Sequence, residues 1–367
     1  MKPFLLGVFT ALSLATAASA QDASLVPPTL RNEAIPAVME NAVDGFIRPG
    51  YHRFRDASTA LEKDMRSLCA APSSGTLDAA RSAFDETVAA WSSIEIVRVG
   101  PVIEANRFER ILFYPDRKST GLKQVQAILA RPDESATSVE TLKDKSVAMQ
   151  GLGALEFVLF GTGSDGLTEE KVGFRCRYGA AIAGNMVRLG GELVEAWDKP
   201  DGIQAAWKHP GPDNPEFRDG REAITALLGI LVHGAEAIRD QRIETFYKGE
   251  DNNTFPKQAI YWRSGNSFAS IAGNIEGLRS LIKESGMVDL LNDGSRSIVS
   301  SIDFVAKSLA RVAGDINPDI EAAVADPAER AKLDFLLLNS KDLILRLNND
   351  YGGAIGLAAG FSFSDGD

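Results

Sequence analysis

Gly151-Leu152-Gly153-Ala154-Leu155-Glu156-Phe157-Val158-Leu159-Phe160-Gly161-Thr162-Gly163-Ser164-Asp165-Gly166 admits two readings that lead to different folds. As a strand, residues 155–160 would feed a literal G-x-G-x-x-G at 161–166, the turn of a dinucleotide-binding βαβ unit. As a helix, Leu152, Leu155, Glu156 and Leu159 share one face, because positions i, i+3, i+4 and i+7 coincide at 3.6 residues per turn. The glycines then form a C-terminal cap and turn. The rest of the chain decides between them. Period-2 alternation is nearly absent, so no βαβ framework exists for a nucleotide turn to belong to, and the helix reading carries the fold to all-α.

Helical periodicity predicts helices near 51–70, 76–93, 104–113, 120–130, 147–160 and 168–197, then 216–246, 264–285, 295–314 and 327–350. Ile224, Leu227, Leu228, Leu231, Ala235 and Ile238 trace an unbroken apolar stripe in the 216–246 segment. A stretch with Pro200, Pro210, Pro212 and Pro215 separates the two groups. The expected architecture is two helical-bundle halves packed together, about 35–198 and 216–352, with a break at 199–215 and a tail at 353–367.

Residues 1–20 read as a secretory leader: Lys2, an apolar run, then Ala18-Ser19-Ala20 before Gln21. Residues 21–34 read as a linker. No later run reaches the ~18–20 apolar residues of a membrane span. The expected location is the periplasm or cell envelope. The net charge is −11, and the leader removes one Lys and no acid, so the exported chain is more acidic still. Such a surface repels phosphate backbones and argues against nucleic-acid partners. Cys69 and Cys176 are the only cysteines; in an oxidising compartment they form a disulfide or remain two buried thiols.

Glu156 is the only charge in residues 151–161 and points along the buried stripe. A buried carboxylate is paired, holds a metal, or shifts its pKa until it is neutral. The window resembles the imelysin-like family, which carries Gly-x-His-x-x-Glu on an apolar helix. Gly151 and Glu156 fit that motif, and Gly153 stands where the family has His. Trp91 with Glu95, Arg98, Gly100-Pro101 and Arg107 resembles another family segment, as do Tyr114-Pro115-Asp116, residues 263–268 and residues 360–367. The resemblance implies an all-helical fold with a site at the interface of its halves. It also implies either metallopeptidase chemistry, for which the family is named, or bacterial iron uptake at the envelope, with which other members are associated.

Without the motif His, zinc chemistry lacks a ligand, since a catalytic zinc takes about three from the protein. His52, His209 and His233 are the only histidines. His233 lies opposite the apolar stripe and reads as a solvated surface residue, although His233 and Glu236 spell H-x-x-E. An oxygen-ligand site is one alternative, with Glu156 joined by Asp116 or Glu104 and an ion such as iron or another divalent or trivalent metal. Neutralisation of Glu156 by Arg98, Arg107, Arg110 or Arg263 is the other, and those arginines then bind an anionic ligand. The expectation is a binding protein for a small ligand or metal ion, or a partner of envelope iron-uptake proteins. A metallopeptidase with rearranged ligands and an envelope scaffold protein are the alternatives.

Overall fold

The computed structural model describes residues 28–249 and 253–360. The leader at 1–20, residues 21–27 of the linker and residues 361–367 of the tail lie outside the described residues. All defined elements are helical; the single β-type contact among the described residues is an isolated bridge between Tyr247 and Thr254. The chain is therefore all-α, and residues 155–160 are helix rather than a nucleotide-binding strand.

Helix α1 (Ile35–Asn41) passes through a π-helical stretch, Ala42–Ile47, into α2 (Arg48–Ala70). Tyr51, Phe54, Ser58, Leu61, Met65 and Leu68 recur at three- and four-residue spacing along α2, and all are buried. Helix α3 (Ser74–Ile94) begins with a reciprocal cap. The Thr76 N–H donates to Ser73 Oγ and the Ser73 N–H donates to Thr76 Oγ1, each at 3.1 Å. Three short helices, α4 (Arg107–Ile111), α5 (Thr120–Ala130) and α6 (Val139–Leu142), lead to α7 (Leu152–Phe160). Helix α8 (Phe174–Asp198) then packs along α2, which also packs on α3. Cys69, near the end of α2, is bonded to Cys176, near the start of α8, with Cα atoms 5.5 Å apart.

The Pro-rich stretch contains a short helix, α9 (Ile203–Lys208). Its Trp207 meets Trp197 at 5.8 Å and Phe217 at 5.2 Å between ring centroids, so buried aromatic edges hold this segment down where its proline content suggested a plain break. Helix α10 (Gly220–Glu236) continues as a π-helical turn, Ala237–Ile243. Helices α11 (Ser267–Ser285), α12 (Ser297–Gly314), α13 (Ile320–Ala325) and α14 (Pro327–Leu345) follow, and α14 runs through Arg346–Gly352 into α15 (Gly353–Ile355). The apolar stripe of α10 is buried throughout. Helix α11 lies against both α12 and α3, so it joins the C-terminal helices to the N-terminal ones. Helix α7 packs on α3, α5 and α8, which puts Glu156 in the interior.

Candidate functional site

Leu152, Leu155 and Leu159 are fully buried on α7, and Glu156 beside them is 4 % exposed. Gly151 precedes this helix because nothing larger fits. A Cβ there would lie 2.4 Å from the Ile111 carbonyl oxygen, which real side chains do not tolerate. Gly153 is the opposite case. It is exposed at the wall of a cavity, and a Cβ added to it would meet nothing within 4 Å.

That cavity, about 130 Å³, is bordered by Gly153, Glu156, Asp116, Tyr261 and Arg263 among others. Oε1 of Glu156 accepts three hydrogen bonds, from the Arg263 N–H (3.0 Å), the Ser264 N–H (3.0 Å) and the Ser264 hydroxyl (3.1 Å). Oε2 accepts none from the described residues and lies 4.0 Å from Arg263 Nη1. The Arg263 guanidinium instead stacks at 4.3 Å on Trp262 and at 5.2 Å on Phe157. Burial raises the Glu156 pKa above its ordinary value, and the Ser264 and Arg263 contacts oppose that rise. The turn that Glu156 clamps is itself strained: Tyr261 has φ +53°, a left-handed conformation unusual for an aromatic residue.

Of the residues singled out in the sequence, Glu156, Asp116 and Arg263 share this cavity with Gly151, Gly153 and Tyr114, whereas Glu104, Arg98, Arg107 and Arg110 stand elsewhere. Both Asp116 oxygens are engaged at the start of α5, Oδ1 by the Thr120 N–H (2.8 Å) and Oδ2 by the Leu122 N–H (3.1 Å), each keeping a second lone pair. Glu104 is largely exposed and faces Arg107, which in turn holds Glu192 at 2.8 Å. Arg110 donates to the carbonyls of Ala105 and Lys143. Arg98 stacks on Phe108 at the wall of a second cavity. His233 lines that same cavity, half-buried and 2.9 Å from Glu236, because residues 96–115 cover the face of α10 that the apolar stripe leaves outward. The surface reading of His233 is corrected accordingly. His52 pairs with Asp198 at 2.8 Å.

Behind the Tyr261 turn lies a polar cluster that periodicity does not reveal. Oε1 of Glu95, 3 % exposed, accepts from Arg242 Nη2 (2.7 Å) and Asn274 Nδ2 (2.6 Å). The Arg242 guanidinium also lies 4.8 Å over the Tyr114 ring. Glu95 Oε2, Arg242 Nη1, Asn274 Oδ1, Ser92 Oγ and the Tyr261 hydroxyl are buried without a hydrogen-bond partner among the described residues. Burial pushes the Tyr261 hydroxyl pKa well up, and the charges of Glu95 and Glu156 add to the effect. An incompletely satisfied buried pair does not stabilise a fold as well as apolar packing does. Glu95 stood in the sequence as part of a resemblance; Arg242 and Asn274 gave no signal, since each looks like a polar residue on an ordinary helix.

The donor set beside Glu156 does not fit a catalytic zinc. Asp116 is the only other His, Cys, Asp or Glu bordering the cavity among the described residues, and no three such side chains converge anywhere among them.

A model of the imelysin family, Peptidase M75, matches residues 47–346. An imelysin-like protein from Psychrobacter arcticum 273-4 superposes with a TM-score of 0.75 at 16% identity, over 92% of this chain and 100% of that one. A protein described as an iron-regulated protein A precursor, from Parabacteroides distasonis ATCC 8503, superposes with a TM-score of 0.71 at 17% identity, over 90% and 97%. At these identities the likeness concerns the fold. No curated protein matches the chain.

Proposed function

The chain belongs to the imelysin family, and from that premise we propose that it is an exported, non-catalytic member that takes a hard metal ion, iron foremost, into the cavity beside Glu156 and serves metal acquisition at the cell envelope. One observation carries this reading: Oε2 of Glu156 accepts no hydrogen bond from the described residues and stands at a cavity that Asp116 also borders. Carboxylate oxygens without imidazole suit hard cations, and water would have to fill the remaining places, since only two such side chains border the cavity among the described residues. The peptidase alternative needs a nitrogen ligand that Gly153 does not supply. Residues 1–20 support export, and the Parabacteroides protein described as iron-regulated supports the link to iron.

The test is calorimetric titration of Fe³⁺, Fe²⁺, Zn²⁺ and Cu²⁺ into the native chain, Glu156→Gln and Gly153→His. Stoichiometric iron binding in the native chain, lost in Glu156→Gln with the fold intact, is the expected result. A Cβ at residue 153 would meet nothing within 4 Å, so the backbone there accepts a side chain and Gly153→His should fold. Zn²⁺ binding that appears only in Gly153→His, with no metal bound by the native chain, overturns the proposal.

A second reading has its own observation. Three donors converge on Oε1, so Glu156 also acts as a strut that docks the 261–266 turn in an envelope scaffold protein. On that reading Glu156→Gln changes stability and leaves metal binding unchanged.

A further inference from the structure

Leu112 and Tyr114 border the Glu156 cavity on one side and a cavity of about 720 Å³ on the other. That volume lies within the roughly 300–1,000 Å³ of small-molecule pockets. Its walls come from residues 96–115 and from the outward face of α10. Ile96, Val99, Phe108 and Ile230 make them largely apolar, and Ile103 stands at the mouth, 44% exposed.

One cation faces this apolar space. The Arg98 guanidinium lies 4.3 Å over the Phe108 ring, and its one hydrogen bond among the described residues is a long one, 3.4 Å to Gln241 Oε1. No described carboxylate comes within the 4.0 Å of an ion pair. Glu95 holds Arg242 and Asn274, Glu236 holds His233, and Glu109, exposed at the border of the same cavity, acts on Arg98 by charge without an ion-pair contact. Burial and the like charge of Arg242 lower the Arg98 pKa to about 10, which leaves it a cation at neutral pH. A guanidinium carries five N–H donors, and Arg98, part-buried at the cavity wall, spends only one of them on a protein acceptor among the described residues, which leaves the others for an anion.

We propose that this cavity binds an amphipathic organic anion, a single carboxylate on an apolar body, with the carboxylate on Arg98 and the body between Phe108, Ile230 and Ile103. A planar carboxylate matches the guanidinium fork and its single charge. Phosphate or sulfate would ask for more donors than these apolar walls supply. His233, tethered through Nδ1 to Glu236, supplies a second polar edge, since its other ring nitrogen has no partner among the described residues. The site is separate from the Glu156 cavity, and its test does not depend on the metal reading.

The experiment is fluorescence titration of the full chain with 11-(dansylamino)undecanoic acid, followed by displacement with dodecanoate and with the neutral dodecanol. Dodecanoate should displace the probe at about tenfold lower concentration than dodecanol, the value expected for one charge-assisted hydrogen-bond contact. Arg98→Gln should remove that preference and leave dodecanol unchanged, Arg98→Lys should keep part of it, and Ile230→Trp should block acid and alcohol alike. Equal displacement by acid and alcohol on the native chain overturns the proposal without any variant having to fold. Probe binding that appears only in a chain ending at Gly360 overturns it too, because residues 361–367 would then be the occupant.

Discussion

A carboxylate with three donors on one oxygen is at once expensive and useful, and Glu156 shows both sides. Its pKa is raised in the folded chain, so folded protein holds the proton over a range where unfolded protein has released it. Stability contributed by this group is therefore highest below the ordinary carboxylate value of 4.5 and declines as pH rises from there through the folded pKa. Glu156→Gln keeps the acceptor oxygen for the Arg263 and Ser264 N–H groups and removes the titration. Thermal melts at pH 4.5 and pH 7.5 should show a smaller difference for the Gln variant than for the native chain; an unchanged difference would mean that Glu156 does not titrate differently on folding. That Glu156 would be buried was legible from its place among Leu152, Leu155 and Leu159. Two of its three donors were not, because they are backbone N–H groups more than a hundred residues away, and every residue but proline carries one.

Helices were the most legible level, since apolar spacing reports a buried face directly. The observed spans of α2, α3, α5, α11 and α12 follow their predicted ranges closely. Helices α1, α6, α9, α13 and α15 were missed because each is short, and in α9 a Pro-rich surrounding masks a segment whose stability comes from Trp197, Trp207 and Phe217. Where helices cross was not legible at all. Helix α11 approaches α3 so closely that a Cβ on Gly277 would sit 2.3 Å from the Ser93 carbonyl oxygen. Gly277→Ala should push the two helices apart and cost roughly 1–3 kcal/mol. In α8, Gly191 has nothing within 4 Å of its Cβ position, and Gly191→Ala should stabilise by about 0.5–1 kcal/mol. Urea midpoints of the two variants moving in opposite directions would bear this out, and a common shift would refute it.

At the scale of the whole molecule, one covalent link spans 107 residues of chain. Closing a loop of that length restricts the unfolded ensemble by roughly 4–5 kcal/mol. Cys69→Ser, or reduction of the native chain, should lower the denaturation midpoint accordingly, and native protein with reductant should match the variant without it. An insensitive midpoint would show that the thiols are not joined in solution. Composition and periodicity by themselves determined that the chain is helical and acidic and that Glu156 faces inward, because these depend on residues near one another along the chain. Only tertiary structure decided that Glu156 clamps the Tyr261 turn, that Asp116 and Arg263 reach its cavity while Glu104 and Arg107 do not, and that Arg98 and His233 face a second one. Helical period says which face of a helix is buried. It does not say which other helix covers that face, and the chemistry of a site is set by that neighbour.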